Sequence, residues 1–231
     1  AAICENDNVR ILVRSERFDN ARDNDNCIAH AAEKRISAKE DSTTRGENQL
    51  ENSLWGRVGT IYVGRRIIYP GWGFAYNPTP ERGWLKFDLR GIPSIDNIVM
   101  ARLNLQCFSV ENAGTDIQVR RVDNDNWSEL TMSWLNQPSI GSVLDSGIVA
   151  SENMWYSWDV TDFVRSQYQT PGDNVASFCI IDVGENMGPN HYSSFTSSNY
   201  GSIENLPRVE NHPYLEILSA APENEVRVYV N

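Results

Sequence analysis

The chain has 231 residues and a formal charge of −11, and 40% of its residues are hydrophobic. That length is enough to bury a core without help from a metal ion or a disulfide. The acidic balance repels phosphate backbones and argues against nucleic-acid binding, and no apolar run approaches the ~20 residues that cross a bilayer as a helix. Short apolar runs separated by Asn, Asp, Ser and Gly instead predict many strands joined by polar turns.

Residues 1–34 are predicted to be an N-terminal extension. The chain starts with Ala-Ala-Ile-Cys, which is typical of a mature end after signal-peptide removal, so we expect an extracellular or cell-surface protein. Val9, Ile11 and Val13 alternate along a strand-like run. A short helix is predicted around residues 28–34, because Ala-Ala-Glu-Lys favours helix.

A succession of strands is predicted over residues 35–218, with one helical interruption. The strands are expected at 60–63, 83–89, 99–110, 116–122, 155–160, 176–183, 193–197 and 214–218. In the run 83–89, Trp84 and Lys86 are expected on one face, with Leu85 and Phe87 on the other. Residues 161–168 predict a short helix that Thr161 caps, stopped by Pro-Gly at 171–172.

The C-terminal residues 219–231 predict a linker followed by a strand. Val226, Val228 and Val230 alternate on one face, and Tyr229 lies between them. A lone terminal strand must pair with something, since its backbone groups are otherwise unsatisfied. It either completes its own sandwich or joins the sheet of another copy, and we favour the second.

Several stretches, taken in order, resemble the DNRLRE-type domain, a group found in disaggregatase-related surface proteins and in family 96 carbohydrate-binding modules of secreted enzymes. The stretches are residues 62–65, 84–93, 101–105, 119–122, 127–139, 158–164 and 213–217. The resemblance covers residues 35–218. It implies an all-β, jelly-roll-like antiparallel β-sandwich that is usually appended to exported proteins and has no catalysis of its own.

An aromatic segment, residues 69–84, follows the strand run that ends near Tyr69, and this sequence departs there from the usual family pattern. Gly and Pro residues separate its rings. The candidates for stacking on the C–H faces of sugars are Tyr69, Trp72, Phe74, Tyr76 and Trp84. Packing of these rings over the sandwich edge, or against a neighbouring subunit, is the favoured interpretation, and glycan stacking is the alternative.

Two runs of Asp and Asn offer oxygen ligands suited to calcium, although neither has the spacing of an EF-hand. The carboxylates are Asp19, Asp23, Asp25, Asp123 and Asp125. Solvated loops are the favoured interpretation, no cofactor is required, and Ca²⁺ is an optional ligand. A sequon at Asn126 is a possible glycan acceptor.

The four cysteines have no C-x-x-C spacing, which argues against zinc ribbons and thioredoxin-like sites. They are Cys4, Cys27, Cys107 and Cys179. Four cysteines allow three pairings, of which Cys4–Cys27 with Cys107–Cys179 is the simplest. Buried free thiols are the alternative, and disulfides are favoured because the composition is that of an exported protein.

No metalloprotease, nucleophile-elbow or P-loop motif is present, so we expect a protein without enzymatic activity. The favoured function is a structural subunit that forms a filament or surface layer with copies of itself by exchanging terminal strands. The alternative is a free-standing module that binds extracellular polysaccharide through its aromatic segment.

Overall fold

A computed structural model of the chain describes residues 3–6, 9–12, 32–46, 52–67, 79–92, 98–111, 114–169, 174–185, 191–200 and 209–219. These residues form strands, one α-helix and short 3-10 turns. The strands are β1 Ile3–Asn6, β2 Val9–Leu12, β3 Ala32–Ser37, β4 Glu40–Arg45, β5 Thr60–Arg66, β6 Thr79–Asp88, β7 Ile98–Val110, β8 Thr115–Val122, β9 Val143–Val149, β10 Trp155–Asp159, β11 Val175–Asp182, β12 His191–Thr196 and β13 Tyr214–Ser219. The helix α1 spans Thr161–Gln169, and 3-10 turns span Leu89–Gly91, Trp134–Asn136 and Val209–Asn211.

Two antiparallel sheets share the long strand β7 and make a sandwich. The smaller sheet has the order β3-β13-β7-β10, and the larger has the order β12-β5-β6-β11-β8-β9, with β4 also paired to β6. The first part of β7 pairs with β13 and β10, and its last residues pair with β12. The predicted all-β, antiparallel sandwich with one short helix is confirmed.

Alternation along the strands decides which side chains enter the core. Ala101, Leu103, Leu105 and Cys107 of β7 are all fully buried between the sheets, as their spacing predicts. Leu85 and Phe87 of β6 join them, whereas the neighbouring side chains Trp84 and Lys86 face the opposite side of the larger sheet. There a second apolar cluster forms from Trp84, Val122, Trp127, Met132, Cys179 and Ile181.

The helix α1 closes one end of the sandwich and is confirmed at its predicted place. Phe163 and Val164 are buried in the main core. The Thr161 hydroxyl accepts a hydrogen bond from the Ala101 backbone N–H at 2.9 Å, so it fastens the start of the helix to β7. No helix in the described part of the chain is long and apolar enough to cross a membrane.

The helix predicted at 28–34 is wrong over residues 32–34. Residues 28–31 lie outside the described residues, and strand β3 begins at Ala32 and pairs with β13 over six residues, from Ser37 opposite Tyr214 to Ala32 opposite Ser219. Backbone pairing over six residues satisfies N–H and C=O groups that the local Ala-Ala-Glu-Lys preference would have placed in a helix turn. Sequence reasoning also missed β4 and β9, whose residues do not alternate cleanly.

Candidate functional site

The end of β5 and the start of β6 bring a set of charged and aromatic side chains together. Arg66 ends β5, Thr79 begins β6, and the two residues are register partners. Glu81 of β6 is paired with Gly64 of β5 and also with Arg45 of β4. Gly64 has φ +118°, and a Cβ there would lie 2.3 Å from the His191 carbonyl oxygen, so only glycine fits this close approach.

Glu81 lies between two arginines. Its side chain has no exposed surface, and its Oε1 accepts a hydrogen bond from Arg66 Nη2 at 3.1 Å and lies 2.6 Å from Arg45 Nε. Burial lowers the pKa of Arg45. Burial also acts to lower the pKa of Arg66, but attraction to Glu81 outweighs it and the pKa is raised. One carboxylate therefore faces two guanidinium groups, which leaves a local excess of positive charge on an otherwise acidic protein.

Aromatic rings alternate with these guanidinium groups in a stack that we call the ladder. The ladder consists of Trp55, Arg45, Tyr62, Arg66 and Tyr192. The Arg45 Cζ lies 3.5 Å from the Trp55 ring centroid and 5.2 Å from that of Tyr62. The Arg66 Cζ lies 3.8 Å from the Tyr62 centroid and 5.5 Å from that of Tyr192. All four distances are within the range of cation–π attraction, so each arginine is held between two rings.

Several buried polar atoms of this region have no hydrogen-bond partner among the described residues. They are Trp55 Nε1, Arg66 Nε, Thr79 Oγ1 and Glu81 Oε2, whereas Arg45 Nε has its ion-pair contact with Glu81 Oε1. Native proteins leave few buried polar atoms unpaired, so four around one ladder mark it as unusual. Trp55, Tyr62, Arg66 and Tyr192 are half-buried, so part of the ladder is open to a ligand.

Arg82, which follows Glu81 on β6, makes a separate ion pair. Arg82 donates to both carboxylate oxygens of Glu185, at 3.0 and 2.7 Å, and its Cζ lies 4.5 Å from the Trp134 ring centroid. Next to it, His191 Nδ1 lies 2.6 Å from Asp182 Oδ2, and burial raises the pKa of Asp182. These contacts fix the strands that carry the ladder.

The predicted glycan-stacking residues divide into two groups. Tyr69, Trp72, Phe74 and Tyr76 lie outside the described residues. Their segment is covalently joined to the chain at Ile67 and Thr79, next to Arg66. Trp84, by contrast, is described, and its assignment to a glycan site is wrong.

The Trp84 side chain is fully buried in the second apolar cluster. Its Nε1 donates to Thr44 Oγ1 at 2.9 Å. No ring face is left for a sugar, because β6 alternates and position 84 points away from the main core into a cluster that is itself covered.

The predicted calcium ligands are not brought together in the described part of the chain. Asp123 Oδ1 accepts from Arg121 Nε at 2.8 Å, and Asp125 is half-buried. Asp19, Asp23 and Asp25 lie outside the described residues. Within the described ranges, no three His, Cys, Asp or Glu side chains are placed to hold a metal ion. Calcium binding stays a prediction.

The predicted Cys107–Cys179 disulfide is wrong, because both residues are buried free thiols. Cys107 faces the main core between the sheets, whereas Cys179 points to the opposite side of the larger sheet beside Trp84. Burial raises the pKa of both thiols, to about 11 for Cys107. Cys4 lies in β1 without a described side chain and Cys27 lies outside the described residues, so that pairing is untested.

The predicted assembly strands are described only at the N-terminal end. Val9 and Ile11 lie in β2, which pairs with β1 of the same chain, with Cys4 opposite Ile11. The remaining members of the predicted assembly set lie outside the described residues; they are Val13, Val226, Val228, Tyr229 and Val230. Exchange of terminal strands therefore stays a prediction.

Sequence reasoning missed the ladder, although one signal was present. Tyr62 and Arg66 are four residues apart on one strand, a spacing that places both on the same face. The other members come from β4, β12 and the loop before β5, far away in the sequence. Only the pairing of strands brings them together.

Residues 32–209, most of the chain, match the model of carbohydrate-binding module family 96. The chain belongs to carbohydrate-binding module family 96. It is also similar to a gellan lyase from a Bacillus species, with 27% identity over 142 residues. The matched region covers 59% of this chain but only 5% of the lyase, so the similarity concerns one small part of that protein. The predicted likeness to family 96 modules is confirmed, and the DNRLRE-type label stays a prediction.

Proposed function

We propose that this protein is a non-catalytic carbohydrate-binding module that attaches to an extracellular polysaccharide through the ladder. The observation that carries the proposal is the alternation of rings and guanidinium groups around the buried Glu81. Aromatic rings stack on sugar C–H faces, and guanidinium groups donate to hydroxyls and carboxylates. Membership of a family of carbohydrate-binding modules supports the same function.

The charge of the site favours a polysaccharide that carries acidic sugars. Arg45 and Arg66 share the single carboxylate of Glu81, and Arg66 is half-buried and within reach of a ligand. A guanidinium group recognises a carboxylate through two parallel hydrogen bonds, and the Arg66 side chain keeps 21% of its surface exposed. Gellan is a suitable first probe, because the similar Bacillus protein is named for it.

The aromatic segment would extend this site. Both of its attachments to the chain are next to Arg66, so its rings start within a few residues of the ladder. We propose that Tyr69, Trp72, Phe74 and Tyr76 add stacking surface there. This part of the proposal is separable, since variants of the segment leave the described ladder intact.

Affinity electrophoresis of the full chain tests the proposal. Gels containing gellan or polygalacturonate should retard the protein, and gels containing neutral dextran should retard it less. Tyr192→Ala and Arg66→Ala should each weaken binding to the acidic polysaccharide roughly tenfold, since each removes one ring or one cation from the stack. Added salt should weaken wild-type binding, because the charge on a half-buried guanidinium is screened.

Arg90→Ala is the matched control. Arg90 is an exposed arginine paired with Asp88, at the end of β6 opposite to the ladder and roughly 30 Å along the strand from Thr79. The control should bind like the wild type. Equal binding by Tyr192→Ala, Arg66→Ala and the wild type, with all proteins folded by circular dichroism, would contradict the ladder as the site.

Self-assembly through terminal strands is a weaker candidate than glycan binding. No described contact favours exchange between copies, and β2 already has a partner in β1. The family match favours the glycan-binding alternative. Absence of filaments by electron microscopy, together with retention on polysaccharide, is the outcome expected from the proposed function.

A further inference from the structure

The outer face of the smaller sheet carries an exposed aromatic pair that neither the core nor the ladder uses. Leu103 and Leu105 of β7, with Leu215 of β13, point into the core, so the residues between them point outward. On that outer side, the Trp155 ring of β10 meets the Tyr214 ring of β13, with centroids 5.2 Å apart and ring planes at 62°. Trp155 keeps 39% of its surface exposed.

Polar side chains surround this pair in register. Asn104 of β7 is opposite Tyr214 on one side and Ser157 on the other, and Gln106 is opposite Trp155. Asn104 is buried at the base of the pair, and its amide donates to the Arg102 carbonyl at 3.1 Å. The Arg35 Cζ lies 4.7 Å from the Tyr214 centroid and holds that ring in place.

The charges next to the rings leave no excess of positive charge. The adjacent register row carries, in order across the sheet, Asp159, Arg102, Glu216 and Arg35. Two carboxylates therefore alternate with two guanidinium groups, and Glu33 of β3 adds a third carboxylate 3.3 Å from Arg35 Nε, unlike the ladder, where two arginines share one carboxylate. A surface with more carboxylates than guanidinium groups repels an acidic polysaccharide but still offers acceptors and donors to hydroxyls, so it complements a ligand that is polar but uncharged.

We propose that the Trp155–Tyr214 pair is a second carbohydrate-binding site, and that it takes a neutral, hydroxyl-rich polysaccharide segment. The exposed ring supplies a surface for the C–H face of a pyranose, and the amides and alternating charges supply partners for its hydroxyls. The proposal rests on the family's carbohydrate-binding function, but uses a different sheet from the ladder. Two separate sites on one module would raise retention on a long polysaccharide through effective concentration.

The experiment measures retention of the full chain on insoluble neutral polysaccharides, with cellulose, xylan and mannan as probes, beside gellan as the acidic probe. The double variant Trp155→Ala with Tyr214→Ala should lose roughly tenfold or more of its retention on a neutral probe and keep binding to soluble gellan. Trp155→Phe should retain part of the binding, since a smaller ring still stacks. Ile148→Ala, which removes an exposed side chain from β9 of the other sheet, should behave like the wild type.

Different results would reject the second site and the proposed function, so the two can be told apart. If gellan binds but no neutral probe is retained, or if the double variant is retained like the wild type, the second site is rejected and the ladder stands. If the double variant changes only sedimentation, from dimer to monomer, the face binds a second copy and the inference is wrong. If no polysaccharide of either kind is retained, the proposed function itself fails.

Discussion

From Ala101 to Cys107, strand β7 buries an apolar side chain at every second position, whereas β4 buries five consecutive side chains, all polar or charged. The apolar residues of β7 need only neighbours of suitable shape, so many partners would serve. The residues of β4 each need a particular partner: Asp41 accepts from the Ser198 N–H, Thr43 from the Tyr62 N–H, and Arg45 pairs with Glu81. Burial of β4 therefore depends on a network of hydrogen bonds and ion pairs, and burial of β7 depends on apolar surface area.

Removing one member of the network should have the largest effect on stability. Glu81→Ala leaves Arg45 buried without its carboxylate, and breaking such a pair typically costs about 3–5 kcal/mol. Leu103→Ala in β7 should cost a similar amount, about 2–5 kcal/mol, through the cavity it leaves. Urea unfolding monitored by tryptophan fluorescence measures both. Glu33→Gln, at an exposed site, should change stability by less than about 0.5 kcal/mol.

Glu81→Ala and Leu103→Ala should differ in whether a second substitution restores stability. Glu81→Leu with Arg45→Met removes the fully buried pair and should recover part of the stability lost in Glu81→Ala, because the Arg45 charge is gone and the remaining guanidinium, Arg66, is partly exposed to water. No second substitution at a charged residue should rescue Leu103→Ala. Failure of the paired apolar replacement to recover stability would contradict the network interpretation of β4.

The next effect is a pH dependence that the network has and the apolar core lacks. Burial, assisted by the nearby Glu129, raises the pKa of Asp41 from 3.8 to about 7. Between these two pH values the folded state binds the proton and the unfolded state does not, so stability falls as pH rises from about 4 to about 7. Asp41→Asn keeps an oxygen for the Ser198 N–H and carries no charge.

Asp41→Asn should therefore match the wild type near pH 4 and exceed its stability above pH 7, by up to a few kcal/mol at roughly 1.4 kcal/mol per unit of pKa shift. Thermal unfolding between pH 4 and pH 8 measures the difference. Parallel curves for the two proteins over this range would show that Asp41 does not titrate in the window expected.

A smaller effect is expected where one hydrogen bond joins β4 to the second apolar cluster. Thr44 Oγ1 accepts from Trp84 Nε1 and donates to Gln137 Oε1, both at 2.9 Å. Thr44→Val keeps the shape and leaves the indole N–H unpaired, which should cost about 1–3 kcal/mol. Thr44→Ser keeps the hydroxyl and serves as its control. Equal stability of the Val and Ser variants would indicate that the bond contributes nothing.

The smallest effect should come from adding a reductant, because the described cysteines are already free thiols. Cys107 and Cys179 are free and buried, so dithiothreitol should change the unfolding midpoint of the wild type and of the double variant Cys107→Ala with Cys179→Ala by the same amount. Substitution itself should lower stability modestly, because two buried side chains shrink. A dependence on reductant in the wild type that persists in this variant would point to Cys4 and Cys27.

Much of the fold could be predicted because its signal is local. Period-two alternation identified β6, β7 and β10 to within a few residues and gave the correct faces for Trp84 and Leu85. Alternation fixes which side chains share a face, but not whether that face is covered. For that reason Trp84 was placed correctly on its strand and wrongly in a glycan site.

The sequence by itself determined the positions of most strands and of the short helix, since each depends on residues close together in the chain, and the order of its stretches indicated a family of carbohydrate-binding modules. Only the tertiary structure decided that the polar strand β4 is buried, that Ala32 starts a strand, and that Arg45 and Arg66 meet at Glu81. The physical reason is that a polar side chain is buried only when a partner satisfies it, and these partners come from distant parts of the chain. Local patterns carry no information about which distant strands will pair.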